Sequence, residues 1–435
     1  MSRGTPKKAS VVNKGGEEGP EAERLRLAAI GLEAEFGLVV DGRARKPERV
    51  FGTPRAFIRG ELMHRVGTSY HLPTGGAVYF DTGVIELATP VIEIARGCAA
   101  RAARSLWESI AFLRGKLDDW QDRTDRAAQL TGFSAHYNTS FRPPRGRTPE
   151  PAVEELALLL AYILPVPVML LAANRRSTGV GVRPRPERIE VTADFTPDPA
   201  LMVATGTLVT GIVRAVTRWA TYELAELERS GLPVPRDYAP RRHTTRRGWL
   251  GRFDCFPANP FAADIDAPEW ETRDGRVLSL RRIGRAITRH FWPEIRRISD
   301  PFTLRLIAAV MTRRAPSLLE LPDRPAAYED VGRLCAWDGL FPETALPRSR
   351  YEQVLLLAIG GRPLRLGGDT YRPVGMHGWS RVVFRRERDG SRHIFSIDYL
   401  LQHLRRWRRA MPPPPSTAKP PRRGRRSGPQ REDAL

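Results

Sequence analysis

Apolar and polar residues alternate with period two between Leu25 and Val40, the pattern of a half-buried strand, and Asp41-Gly42 supplies the turn that ends it. Gly75-Gly76 predicts a hairpin turn, followed by a strand ending near Asp81 and a second short strand around Glu86. From Ala99 to about Leu130 the apolar spacing becomes helical, and Thr131 to Phe141 returns to a strand. Leu156 to Ala173 contains no charge, long enough to raise a membrane span. Pro165 and Pro167 argue instead for a helix, a break and a second short helix in the core. Further on, the pattern predicts a strand through Arg188-Ile189-Glu190-Val191 and a long amphipathic helix over Met202–Leu227. It then predicts a helix over Ser299–Arg314, strands between Thr370 and Tyr399 around Asp389-Gly390, and a last helix ending at Arg405–Arg409.

At 435 residues the chain predicts two or three domains. Residues 1–24 lack apolar periodicity and read as a disordered arm, and 412–435 as a disordered basic Pro/Arg-rich tail. Composition shifts divide the remainder into 25–234 and 235–411. Cys98, Cys255 and Cys335 lie far apart, which argues against a disulfide framework or zinc site and fits a reducing cytoplasm. The polar N-terminus offers no secretion signal.

The formal charge is +21, of which the residues from Arg405 onward supply only +8. A basic field attracts nucleic acid, nucleotide or acidic protein alike. In the C-terminal half, Arg241, Arg242, Arg246 and Arg247 surround His243 near Trp249. Arg281, Arg282, Arg285 and Arg289 recur before Phe291-Trp292. Such interleaving suits nucleic-acid binding, and equally a solvated helix face.

The chemistry concentrates earlier. Glu33 and Glu35, two apart on a strand, share one face, and such a pair repels itself unless a cation, typically a hard divalent ion, neutralises it. His136 and Asn138 also share a strand face, as do Arg188 and Glu190. The arginines between Asn174 and Arg188, with Arg176 and Arg183 among them, match phosphate oxygens in planar geometry.

Together these segments resemble the glutamine synthetase-like carboxylate–amine ligases, and most of all their Pup ligase and Pup deamidase branch. The resemblance rests on Gly31-Leu32-Glu33-Ala34-Glu35-Phe36-Gly37, Gly75-Gly76-Ala77-Val78-Tyr79-Phe80-Asp81 and Ile85-Glu86-Leu87-Ala88-Thr89, in the family's order. Asn174-Arg175-Arg176-Ser177 and Glu187-Arg188-Ile189-Glu190-Val191 are similar to elements of glutamine synthetase itself.

The resemblance implies an α+β fold: a curved, mainly antiparallel sheet cradle over 25–234, backed by helices, with a smaller basic α+β region after it. It implies an ATP- and Mg2+-dependent ligase that joins a carboxylate to an amine through an acyl phosphate, one substrate being a small protein or peptide. Glu33, Glu35, Glu86, Glu190 and His136 would bind metal, and Asp81 would be catalytic. Arg183, Arg188, Asn138, Arg176 and Tyr79 would bind nucleotide. Thr192 stands where glutamine synthetase has a substrate-gripping arginine, and the glutamate between His and Asn of the Pup branch is missing between His136 and Asn138. Two other readings are a Pup-deamidase-like amidohydrolase with bound nucleotide, and a non-catalytic nucleic-acid-binding or scaffold protein acting through the basic C-terminal half.

Overall fold

The computed structural model describes residues 25, 27–60, 62–143, 148–196, 198–243, 246–321 and 347–409. The expected arm 1–24 and tail 412–435 lie outside the described residues, as does Cys335.

The chain adopts the expected α+β class, built on a 12-stranded sheet whose paired neighbours all run antiparallel. Its strands are β1 (Ala29–Val40), β2 (Arg43–Arg45), β3 (Met63–Val66), β4 (Ser69–His71), β5 (Ala77–Asp81) and β6 (Val84–Ala88). There follow β7 (Ile92–Glu93), β8 (Ala128–Ser140), β9 (Val180–Arg185), β10 (Arg188–Asp194), β11 (Arg241–Arg242) and β12 (Trp249–Gly251). The order is β11-β12-β9-β10-β8-β1-β6-β5-β4-β3, with β2 and β7 also paired to β1. β1 and β8 sit at the centre, joined along their length except at a bulge opposite Glu35 and Phe36.

Alternation decides which face of β1 is buried. Ile30, Leu32, Ala34, Phe36, Leu38 and Val40 are all in the core, leaving Glu33 and Glu35 on the other face. The helices Cys98–Thr124 and Pro199–Val216 cover the apolar side. Gly206 marks their meeting point, since a Cβ there would touch Ala99, Tyr137 and Leu32 at 3.5–3.8 Å.

The uncharged run folds as expected, into Pro149–Ile163 and Pro165–Ala172 with a 62° bend between them. Pro199–Val216 is long and apolar enough to cross a membrane by length and composition, and 78% of it is buried within the protein. The expected helix over Met202–Leu227 is shorter: it stops at Val216, and Ala225–Arg229 is a separate turn of helix. The hydroxyls of Thr217 and Tyr222 donate to the carbonyls of Val213 and Thr217, taking up acceptors at the helix end.

Residue 234 is not where the core ends. β11 and β12 extend the same sheet, and the main core continues through Leu319. The physical reason is a close helix crossing: a Cβ on Gly211 would lie 2.6 Å from Ile295 Cγ1 and 3.0 Å from its Cα, so Pro199–Val216 and Trp292–Ile298 pack backbone to backbone. A second core, from Tyr351 to Trp407, lies between the helices Arg350–Ile359 and Ile397–Arg409 and a four-stranded antiparallel sheet within 364–396. It is fastened to the main unit by a buried ion pair, Arg104 Nη2 to Glu352 Oε1 at 2.9 Å. Arg348 bridges Glu108 and Glu352 beside it.

The run of arginines before Phe291 is not uniformly solvated. Arg281 is buried and donates to Asp266 at 2.8 and 3.1 Å and to the Val310 carbonyl at 2.6 Å, which gives it a structural role. Nearby, Arg214, Arg218 and Arg297 surround Glu294. Burial raises that carboxyl, but hydrogen bonds from Arg218, Arg297 and Arg214 hold it at about 2. A depressed carboxylate stabilises the fold above its unfolded pKa and loses that contribution as pH falls through the folded one. Glu294→Gln should therefore be less stable than wild type at neutral pH, and the gap should close between about pH 4.5 and 2 in urea titrations.

Candidate functional site

Register places the polar residues side by side. Glu35 pairs with Glu86 across β1 and β6, Glu33 with His136 across β1 and β8, and Glu190 with Asn138 across β10 and β8. Tyr79 faces Glu86 across β5 and β6 and donates its hydroxyl to Glu86 Oε1 at 2.5 Å. His136 Nδ1 lies 3.2 Å from Glu33 Oε2, and its Nε2 lies 3.7 Å from Glu35 Oε1. Ser134 donates to Glu35 Oε2 at 2.6 Å.

Glu190 is 1% exposed and is gripped by guanidinium groups. Arg185 donates to both its oxygens at 2.9 Å, Arg183 donates at 3.0 Å, and Arg188 stands 3.9 Å away. Arg188 also donates to Asn138 Oδ1 at 2.7 Å.

The electrostatics follow from crowding. Burial favours protonated Glu33, yet the hydrogen bond and charge of His136, with Arg188 behind them, hold it at about 2. Burial and the charge of Glu33 push Glu86 up to about 8. Burial would lower His136, but its hydrogen bond to Glu33 and the surrounding carboxylates raise it. Burial also raises Glu190, and the Arg185 hydrogen bond outweighs this to leave it lowered. Potential donor atoms of Glu33, His136 and Glu190 lie within 4.8 Å of one another, as do those of Glu35, Glu86 and His136. A donor set dominated by carboxylate oxygens, carrying negative charge that Glu86 sheds only by protonation, fits a hard divalent cation.

No protein-family model matches the sequence, and no curated protein matches it. Among solved structures, the chain is similar to the crystal structure of the prokaryotic ubiquitin-like protein Pup with its ligase PafA. That match has 11% identity and a TM-score of 0.45, covering 87% of this chain and 92% of the other.

Two cavities adjoin the carboxylates. The smaller, about 380 Å³, is lined by Glu33, Tyr79, Asn138 and Arg188. Arg65 from β3 and Trp379, from the turn joining Asp369–His377 to Arg381–Arg386, also line it. The Arg65 guanidinium sits 4.8 Å from the Trp379 ring centre, and the buried His71 ring meets Trp379 edge-on at 4.9 Å. Burial and the charge of Arg65 depress His71 to about 3, so it is neutral.

The larger cavity, about 690 Å³, is lined by Glu35 and His136, with Arg176 and Arg183. The residues expected to bind nucleotide are thus divided: Tyr79, Asn138 and Arg188 on one side, Arg176 and Arg183 on the other. Asp81 ends β5 and lines neither cavity; it accepts a hydrogen bond from Arg246, itself in the larger cavity, at 2.9 Å.

Sequence reasoning assigned no site role to Arg65 or Trp379; it counted Arg185 only within the phosphate-matching arginine run and Arg246 only within the basic, aromatic-flanked run around His243. Arg185 carried a further local signal, alternating with Arg183 on β9 so that both face Glu190. Gly179 explains how the larger cavity closes. Its φ is +123°, and a Cβ there would lie 2.6 Å from the Gly251 carbonyl oxygen. Only glycine lets the start of β9 approach the end of β12 so closely, and Arg252 follows immediately.

Proposed function

We propose that the protein is an ATP- and magnesium-dependent ligase that joins a carboxylate to an amine through an acyl phosphate. The observation that carries this reading is the convergence of Glu33, Glu35, Glu86, Glu190 and His136 on one sheet face, with arginine-bearing cavities on both sides. These five residues would hold magnesium. Bound there, it would neutralise the triphosphate and fix its terminal phosphoryl group toward an attacking carboxylate.

The chain's own groups supply the rest. Trp379 offers an aromatic face for the nucleotide base, and Arg188, Asn138 and Tyr79 line the same cavity. Arg183 and Arg176 add positive charge in the larger cavity, where the carboxylate substrate enters and charge develops on the transferring phosphoryl. Arg185 fixes the Glu190 carboxylate with two hydrogen bonds. Asp81 lines neither cavity itself but meets Arg246 of the larger one, and would accept the proton of the incoming amine there. A small protein or peptide would serve as one substrate.

Binding is tested first by thermal shift with ATP and magnesium. Trp379→Ala should weaken ATP binding by about tenfold, the order of one lost base–aromatic stack. Mass spectrometry of products then decides the reaction: one ADP should form with each new amide bond. Amide hydrolysis without ADP formation would replace the ligase with an amidohydrolase. Salt-sensitive nucleic-acid binding with no affinity for ATP would replace both with a binding protein.

A further inference from the structure

The larger cavity combines two features that a small, purely polar substrate leaves unused. The first is surplus positive charge. Arg183 is engaged with Glu190 and Arg246 with Asp81, but among the described residues Arg176 makes no ion pair and the exposed Arg252 pairs only with Asp254, at 3.3 Å. The second is apolar. Phe133 and Phe253 both line this cavity and are 51% and 45% exposed, although each is large enough to be buried at a gain of about 2 kcal/mol. They come from different elements, β8 and the short helical turn Phe253–Cys255.

We propose that the larger cavity receives a substrate with two anionic groups and an aryl-sized apolar arm. This rests on the ligase reading for the fate of one anionic group, the carboxylate that reacts beside Glu35. The second anionic group pairs with Arg176 and Arg252, whose guanidinium forks match carboxylate or phosphate oxygens. The apolar arm covers Phe133 and Phe253. Arg252 serves both halves, since its guanidinium lies 5.4 Å from the Phe253 ring centre. Thr192, also in the lining, supplies no charge, so selectivity for the second anion passes to Arg176 and Arg252 on the loops around β9 and β12.

Calorimetric titration of the full chain with glutarate and 3-phenylglutarate separates the two features, because the probes differ only by a phenyl group. The phenyl compound should bind roughly tenfold tighter, the affinity expected from one good aromatic contact. Phe133→Ala with Phe253→Ala should erase that advantage while leaving glutarate affinity unchanged, and Arg176→Gln with Arg252→Gln should weaken both probes. Both phenylalanines are half-exposed, so their removal leaves the core intact, and circular dichroism checks this. Equal affinity of the two probes for wild type, or a phenyl advantage that survives loss of both phenylalanines, overturns the proposal. A parallel titration with ATP and magnesium keeps the readings apart. Probe binding without ATP binding sinks the ligase reading and leaves the cavity assignment standing, whereas ATP binding with neither probe held sinks the cavity assignment alone.

Discussion

Glu190→Ala is expected to lower ATP turnover by roughly 10²–10³-fold, the range found when a group that stabilises developing charge is removed from a water-excluded site. Glu190 is the only carboxylate hydrogen-bonded by both Arg183 and Arg185 while also belonging to a possible cation-binding trio, among the described residues. Its loss would leave those guanidinium groups without their counter-charge. Glu190→Gln separates packing from charge: the amide fills the same space and can accept from one arginine. Turnover should fall almost as far, with a smaller loss of thermal stability. Glu35→Ala should behave in the same way. Unchanged ATP turnover in both alanine variants would refute the proposed metal wall.

The second large effect concerns the joint between the two cores. Glu352 has no exposed side-chain surface and Arg104 has 3%, and Arg348 and the Ser349 amide also donate to Glu352. Glu352→Ala takes from the buried Arg104 its nearest carboxylate, leaving Glu108 at 3.6 Å, and should cost about 3 kcal/mol. Guanidinium unfolding measures the loss. A double replacement, Arg104→Met with Glu352→Leu, should recover most of it, since a well-packed apolar pair removes both desolvation costs. The smaller cavity reports the same event. Trp379 belongs to the unit that Glu352 docks, so the single variant should also weaken ATP binding before global unfolding sets in.

The central strands were legible because alternation is a local property. Glu33 and Glu35 fall on one face by counting, and so do His136 and Asn138, or Arg188 and Glu190. Their meeting depends on registers that no single segment contains, Glu35 with Glu86 and Glu33 with His136. The ordered motifs of a resembling family supplied that information. Arg65 and Trp379 stayed invisible for the opposite reason. Each reaches the site from a separate segment, and nothing in the neighbouring residues marks it. Arg281 shows the converse error open to composition. It sits in a basic, aromatic-flanked run, yet Asp266 and Glu320, distant in sequence, make it a core ion-pair residue.

The bulge between β1 and β8 acts as a phase shift. Glu35 pairs with Ser134 and Phe36 with Gly132, so Phe133 is one residue more than the partner strand can match. Before it, the even residues Ala128 and Leu130 face the core; after it, the odd residues Ala135, Tyr137 and Thr139 do. β1 keeps a single phase throughout, with Ile30 to Val40 buried at every even position. Without that extra residue, the frame that buries Leu130 would turn Ser134, His136 and Asn138 toward the helices. The polar row of the site and the apolar row of the core occupy one strand because a single unmatched residue lets them run out of step.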